Sequence, residues 1–161
     1  MTQLTPHFTL DEFTRSDYAR AHGIDNTLPD DLLETARSTA QMLERIRTLL
    51  STISGKDVPI RVSSAWRCLA LDLAIRKRAK PGDHSKMLAV DFTAPAFGTP
   101  FQIAKTLAPA ISTIGIGQLI YEHPVPGREW VHVSSRMPDK VMNRVITISP
   151  DGPMLGIQPP A

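Results

Sequence analysis

Two residues in the middle of the chain have the types and surroundings of metal ligands. His84 and Asp91 form the pattern His-x6-Asp, and Asp91 stands in the otherwise apolar segment Leu88–Phe92. A carboxylate inside an apolar strand is costly unless it is paired, capped or bound to a metal. The spacing alone leaves open whether Asp91 binds a metal, caps the next turn or pairs with an arginine.

A third potential ligand, His132, lies in the segment Glu129–Ser134. Strand alternation places Val131 and Val133 on a core face, so His132 is predicted to face a cleft. A lone histidine here is more often a structural residue. The prediction that His132 is a metal ligand therefore depends on the presence of His84 and Asp91. Two histidines and one carboxylate leave a coordination position open for water, which is typical of a catalytic zinc.

A zinc hydrolase also needs a base to take a proton from water. Glu129 lies three residues before His132. In a straight strand its side chain would point to the opposite face, so the assignment requires the strand's start or a bulge. The alternative is a solvated hairpin charge. Glu122 and Asp83 are weaker predictions for the same role.

Other polar and aromatic residues are predicted to border the cleft. Arg67 follows a predicted strand, and its planar guanidinium suits a substrate carboxylate or carbonyl, although a surface salt bridge is the simpler interpretation. Trp66 and Trp130 either wall the cleft or belong to the core. Cys68 is the sole cysteine, so it excludes an internal disulfide and is expected to be a buried thiol.

Length and composition indicate one globular domain. The 161 residues are enough for a sizeable core, and 42% hydrophobic with 21% charged residues argues against disorder. The net charge of +2 and the lack of aromatic residues beside the basic run 76–80 argue against nucleic-acid binding. That run is interpreted as the solvated end of a helix rather than as a contact with an anionic polymer.

The sequence carries no recognisable signal peptide and no apolar run long enough to cross a membrane. We therefore expect a monomer that is made in the cytoplasm and has no stable membrane association.

The elements that must position these residues are predicted from periodicity and punctuation. Segments of both types occur without regular βαβ alternation, which favours an α+β fold with helices packed on a small, mainly antiparallel sheet. The core is expected to span about residues 7–148, followed by an extended Pro/Gly-rich tail over 149–161. Helices are predicted to begin at the Thr9–Glu12 capping box, after Pro29, near Cys68 and at Thr99, with strands over 59–64, 88–93, 117–122, 129–134 and 144–148.

Taken together, these motifs resemble the zinc peptidases of the D-Ala-D-Ala carboxypeptidase family, which includes phage L-alanyl-D-glutamate endolysins and shares its fold with the Hedgehog signalling domain. The matching segments are Ser64–Arg67 (Ser-x-x-Arg), His84 with Asp91, and Glu129–His132. Residues 7–13, 91–95 and 118–122 are similar to the small phage and prophage branch. Gly82 and Met87 depart from the family pattern, which usually has serine and glycine at these positions.

The resemblance implies a Hedgehog-like fold and a role for each residue. Zn²⁺ would bind through His84, Asp91 and His132, with Glu129 as the base. Arg67 would anchor the substrate and stabilise the oxyanion. The implied substrate is a peptidoglycan stem peptide, cut in the cell wall after another factor releases the protein. Further substrate contacts are predicted at Ser64, Trp66, Tyr121 and Trp130.

Three alternatives stay open at this point. The first is a binding module that holds zinc without hydrolysis, and the second is a structural phage component that attaches to the wall. The third lies within the enzyme class, because the sequence shows neither a carboxylate-reading pocket nor an open groove; endopeptidase and carboxypeptidase activities both stay open, and family analogy favours an endolysin.

Overall fold

The computed structural model describes residues 1–77 and 80–161, and these residues form an α+β fold. The α-helices are α1 (Leu10–Thr14), α2 (Asp17–Ala21), α3 (Leu33–Ser54), α4 (Leu69–Arg76), α5 (Pro100–Leu107) and α6 (Ile111–Ile114). The strands are β1 (Gln3–Thr5), β2 (Phe8–Thr9), β3 (Arg61–Ser64), β4 (Ala89–Thr93), β5 (Gln118–Val125), β6 (Arg128–Ser134), β7 (Val145–Ser149) and β8 (Gly152–Leu155).

A mixed six-stranded sheet organises the described residues, with strand order β3-β4-β6-β5-β7-β8. Its only parallel pair among the described strands is β5 with β7, and the other neighbours run antiparallel. This confirms the predicted class and the mainly antiparallel sheet. Strands β1 and β2 form a separate small antiparallel pair.

Helix α3 supplies one side of the core. Its apolar residues recur at helical spacing, so they form one stripe that packs with the inner face of the sheet. The helix ends at Gly55, whose φ of 68° is in the left-handed region that glycine adopts without strain. The fully buried members of the stripe are Ala36, Ala40, Leu43, Ile46 and Leu50.

Several local predictions are confirmed in detail. Thr9 and Glu12 form a reciprocal capping box at α1, and Thr99 and Gln102 form another at α5 with Pro100 in the first turn. Each box satisfies backbone donors that a helix start would otherwise leave unpaired. These caps fix where the helices begin.

The tail differs from the expectation of a purely extended segment. Gly152 turns the chain, and residues 152–155 pair with β7 as strand β8, which was not predicted. The tail is held further because the Gln158 backbone N–H donates to Thr147 Oγ1 at 2.8 Å. The short helix α2 was not predicted either, because its segment is rich in polar and turn-forming residues.

Helix α4 ends earlier than predicted. It stops at Arg76, and Lys77 takes a left-handed φ of 52° as its C-cap. The predicted continuation to residue 78 and part of the basic run 76–80 lie outside the described residues.

No helix among the described residues is long and apolar enough to cross a membrane.

Candidate metal centre

One row of residues across the sheet brings two of the predicted ligands together. Asp91 of β4 is paired with His132 of β6, with Ser64 of β3 on one side and Ile120 of β5 on the other. Directly opposed residues in antiparallel strands carry their side chains on the same face. Val131 and Val133 are fully buried on the other face, so His132 faces away from the main core as the alternation predicted.

His84 reaches this row from the turn Asp83–Lys86 rather than from a strand. Its Nδ1 lies 2.7 Å from the carbonyl oxygen of Ala65, which fixes the ring and leaves Nε2 toward Asp91. A backbone carbonyl on the remote ring nitrogen is the usual support for a metal-binding histidine.

Met87 ends this turn with a φ of 60°, a left-handed conformation that glycine adopts without strain. Its side chain is fully buried, so apolar burial offsets the backbone strain. This explains how the chain accepts methionine where the resembled family usually has glycine.

The three ligand atoms converge on one point. Asp91 Oδ1 lies 2.8 Å from His132 Nδ1 and 3.3 Å from His84 Nε2. All three residues are buried, and their potential ligand atoms lie within 4.8 Å of one another. Two imidazoles and one carboxylate form a donor set that fits a divalent transition metal, and the group is therefore compatible with a bound ion.

The other oxygen of Asp91 is held by Arg67. Arg67 Nη2 donates to Asp91 Oδ2 at 2.9 Å, and Nε donates to Ser64 Oγ at 3.0 Å. Only 11% of the arginine side chain is exposed. Arg67 thus contacts Ser64, Asp91 and, at 3.5 Å, Asp72 Oδ1, and the predicted contacts of Arg67 and Ser64 with substrate stay predictions.

Without a metal, the negative charge of Asp91 and the positive charge of a protonated histidine stabilise each other. Burial alone would raise the pKa of Asp91, but the charges and hydrogen bonds of His84 and His132 lower it well below its usual range. Burial alone would lower the pKa of His132, yet the Asp91 carboxylate raises it, helped by Glu122 and Asp83. A metal would therefore displace a proton from His132 when it binds.

Glu122 is the carboxylate that the structure places beside the cluster. It opposes Trp130 on the same face as His132, and its Oε1 lies 3.9 Å from His132 Nδ1. Burial raises the pKa of Glu122, and the negative charge of Asp91 raises it further. A carboxyl group whose pKa is shifted toward neutrality suits proton transfer.

Glu129 does not join the cluster. Strand β6 keeps its alternation, and the extra residue lies in β5, between Glu122 and Val125. Glu129 therefore points to the face opposite His132, where its Oε2 accepts a hydrogen bond of 2.6 Å from the Tyr121 hydroxyl. The expectation that the start of the strand or a bulge would bring Glu129 to the face of His132 is therefore wrong.

Tyr121 is fully buried on the core face. Burial and the Glu129 carboxylate raise the pKa of its hydroxyl. Its predicted substrate contact therefore has no support in the geometry. A cavity of about 780 Å³ borders Tyr121 and Glu129 near the tail, and its lining includes none of His84, Asp91 and His132.

The two tryptophans occupy different places. Trp66 is 5% exposed and belongs to the hydrophobic core, which confirms the second of its two interpretations. Trp130 is half-buried on the same face as His132 and Glu122. Its indole Nε1 is buried and has no well-aligned hydrogen-bond partner among the described residues, although the indole beside the Glu122 carboxylate helps to lower the pKa of Glu122. Trp130 thus lies beside Glu122 and His132, and its place in the wall of a cleft stays a prediction.

Asp83, another predicted base, is already engaged. It accepts hydrogen bonds from Ser134 Oγ at 2.8 Å and from Arg136 Nε at 2.6 Å. These contacts tie the turn that carries His84 to the end of β6. Arg136 was not singled out from the sequence, because an arginine in a polar loop has no distinctive pattern.

Comparison with known proteins adds no family assignment. A scan of the chain against protein-family models found no match, and a search of curated proteins found none either.

Proposed function

We propose that the chain is a zinc-dependent peptidase that hydrolyses peptide bonds in peptidoglycan stem peptides. The observation that carries the proposal is the buried cluster of His84, Asp91 and His132 with a second carboxylate, Glu122, on the same face of the sheet as His132. Such a set combines metal ligands with a base, which is what a hydrolase needs.

The residues divide the chemistry between them. When bound, zinc supplies a Lewis acid that lowers the pKa of water and polarises a carbonyl. Glu122 accepts the proton of the attacking water and returns it to the leaving amine, a role that its raised pKa favours. Trp130 lies opposite Glu122 on the neighbouring strand, and we expect it to border the bound substrate.

Arg67 contacts the cluster through the Asp91 oxygen that does not face the two histidines. Its guanidinium holds Asp91 Oδ2, which leaves Oδ1 toward the two imidazoles. This assigns one oxygen of the carboxylate to the metal and the other to orientation. The residue therefore serves ligand geometry first in this proposal, and a contact with a substrate carbonyl is an additional expectation.

The sequence resemblance supports the choice of substrate. The ordered motifs of the D-Ala-D-Ala carboxypeptidase family place the same three ligands at His84, Asp91 and His132, and the α+β fold is compatible with the Hedgehog-like architecture that the resemblance implies. We propose a monomeric, endolysin-like protein that acts in the cell wall after release by another factor. The masses of the released fragments will identify which peptide bond it cleaves.

The test is a digestion of purified Gram-negative peptidoglycan by the zinc-loaded protein, with products identified by mass spectrometry. A matched digestion uses His132→Ala, and another includes EDTA followed by zinc restoration. We expect new peptide fragments that disappear in both controls and return with zinc. A folded, zinc-loaded protein that releases no fragments refutes the peptidase proposal for this substrate.

One observation favours a second function, a zinc-bearing module that binds peptidoglycan without cutting it. Arg67 already contacts Ser64, Asp72 and Asp91, so it offers less to an oxyanion than a free guanidinium would. Co-sedimentation with sacculi decides between the two functions. A binding module sediments with the sacculi and releases no amino groups from them. The peptidase releases new amino groups from the same sacculi.

A further inference from the structure

A buried carboxylate outside the metal cluster contacts two of the segments that form it. Asp72 lies in the first turn of α4, and its side chain is completely inaccessible to solvent. Burying a charge is costly unless hydrogen bonds and opposite charges compensate it. Asp72 is not among the three metal-binding residues, so its partners show what it does.

The first partner of Asp72 is the backbone of the turn that carries His84. Asp72 Oδ2 accepts a hydrogen bond of 2.7 Å from the Gly82 N–H. Gly82 is the N-cap residue of the Asp83–Lys86 turn. The carboxylate thus fixes the entrance of the turn, two residues before the histidine ligand.

The second partner of Asp72 is Arg67. Asp72 Oδ1 lies 3.5 Å from Arg67 Nη1, while Nη2 of the same guanidinium donates to Asp91 Oδ2. The planar guanidinium therefore bridges two carboxylates, Asp91 in the cluster and Asp72 outside it. Asp72 is linked in this way to a second ligand, Asp91, through a single side chain.

Gly82 makes room for a third contact. A Cβ atom at this position would lie 1.6 Å from Arg76 Nη1, so the missing side chain leaves space for that guanidinium. Arg76 Nη1 in turn lies 3.8 Å from Asp72 Oδ2. The glycine that departs from the resembled family is thus part of the packing around Asp72.

We propose that Asp72 is a positioning residue of the metal centre, which holds the His84 turn and the Arg67 guanidinium in the geometry that the metal requires. This inference rests on the proposed zinc site but not on the proposed peptidase activity. Partners behind metal ligands typically change affinity about 10- to 100-fold when they are removed.

Asp72→Asn tests the proposal because it keeps the shape of the side chain and removes its charge. The zinc affinity of the apoprotein is measured by competition with a chromogenic chelator, and the visible spectrum of the Co²⁺ form reports ligand geometry. The control, Asp151→Asn, changes an exposed carboxylate in the turn before β8. We expect zinc binding to weaken about 10- to 100-fold in Asp72→Asn, with an altered Co²⁺ spectrum, and to stay unchanged in the control.

The outcomes separate this inference from the proposed function. Equal zinc affinities and Co²⁺ spectra for the wild type and a folded Asp72→Asn variant overturn the positioning role, whatever the peptidase activity. A wild type that binds zinc but cleaves nothing refutes the peptidase and leaves the comparison valid. A wild type that binds no zinc overturns both proposals.

If Asp72→Asn does not fold, amide hydrogen exchange in the wild type decides. The Gly82 amide donates to Asp72, so we expect it to exchange slowly and more slowly still when zinc is bound. Rapid exchange of this amide in the zinc-loaded protein overturns the proposal.

Discussion

The choice between two glutamates gives the sharpest test of the proposed mechanism. Glu122 lies on the face of the metal cluster, with Oε1 3.9 Å from His132 Nδ1, whereas Glu129 lies on the other face and bonds to Tyr121. The two substitutions Glu122→Gln and Glu129→Gln make the same chemical change on the two strands of one hairpin. Each therefore serves as the control for the other.

The expected magnitudes differ strongly. A general base contributes about 10²- to 10⁴-fold to a rate, so Glu122→Gln should lower kcat by that factor, about 2.7 to 5.4 kcal/mol of transition-state stabilisation. Glu129→Gln should leave kcat within about twofold, because the residue does not face the reacting atoms. It replaces a charged acceptor for the Tyr121 hydroxyl by a neutral one, so unfolding should become easier by about 1 kcal/mol.

The assay measures the release of amino groups from peptidoglycan by both zinc-loaded variants, together with zinc content and urea unfolding. Both variants should retain zinc, because neither glutamate is one of the three ligands. The reverse pattern, with Glu129→Gln inactive and Glu122→Gln active, would refute the assignment of Glu122 as the base. It would also refute the inference that the base must lie on the same face of the sheet as His132.

Three further predictions follow from the same contacts. Zinc binding should weaken as the pH falls below the raised pKa of His132, because the proton must leave before the metal binds; titration at several pH values with a competing chelator measures this, and a pH-independent affinity contradicts it. Burial alone would raise the pKa of Glu44, but hydrogen bonds from His7 and Thr5 lower it below the ordinary value of a glutamate, so Glu44→Gln should destabilise the protein at neutral pH. That loss should vanish as the pH falls through the folded-state pKa; a difference in urea midpoint that persists in acid argues against it. Met87→Gly should relieve the left-handed backbone, yet the lost burial should dominate and lower the free energy of unfolding by about 1 to 4 kcal/mol; a stabilised variant in urea unfolding shows that strain was the larger effect.

Much of the fold was predictable because its signals are local. The capping boxes at Thr9 and Thr99 mark helix starts, and the apolar stripe of α3 marks its buried face. The elements that were missed depend on partners distant in sequence. Strand β8 has little apolar patterning of its own and forms because β7 offers an edge with which it pairs.

The convergence of two of the potential metal ligands was predictable for a similar reason. A carboxylate within the apolar segment of β4 and a histidine that alternates with the valines of β6 are both conspicuous in the amino-acid sequence. Asp72 was not, because its helix shows an ordinary pattern and its burial depends on Arg67 and the Gly82 turn. Residues that support metal ligands are defined by their contacts in the folded protein. They therefore follow no fixed spacing in the amino-acid sequence.

The face on which Glu122, the proposed base, lies depends on the register of one hairpin. Near the turn, Val125 pairs with Arg128. Continued without interruption, that register would pair Glu122 with Val131 and turn the glutamate toward the core. The extra residue in β5 shifts the register, so Glu122 pairs with Trp130 instead. A shift of one residue reverses the face of every following side chain.

Sequence reasoning predicted that Glu129 reaches the face of His132 through the start of the strand or through a bulge. Because the bulge lies in β5, β6 keeps its alternation and Glu129 stays on the core face with Tyr121. Pro124 lies in the bulged segment, and proline lacks the N–H that a regular ladder uses. The composition of β5 thus contained a reason for the irregularity, and the position of the bulge selects which carboxylate stands beside the cluster of His84, Asp91 and His132.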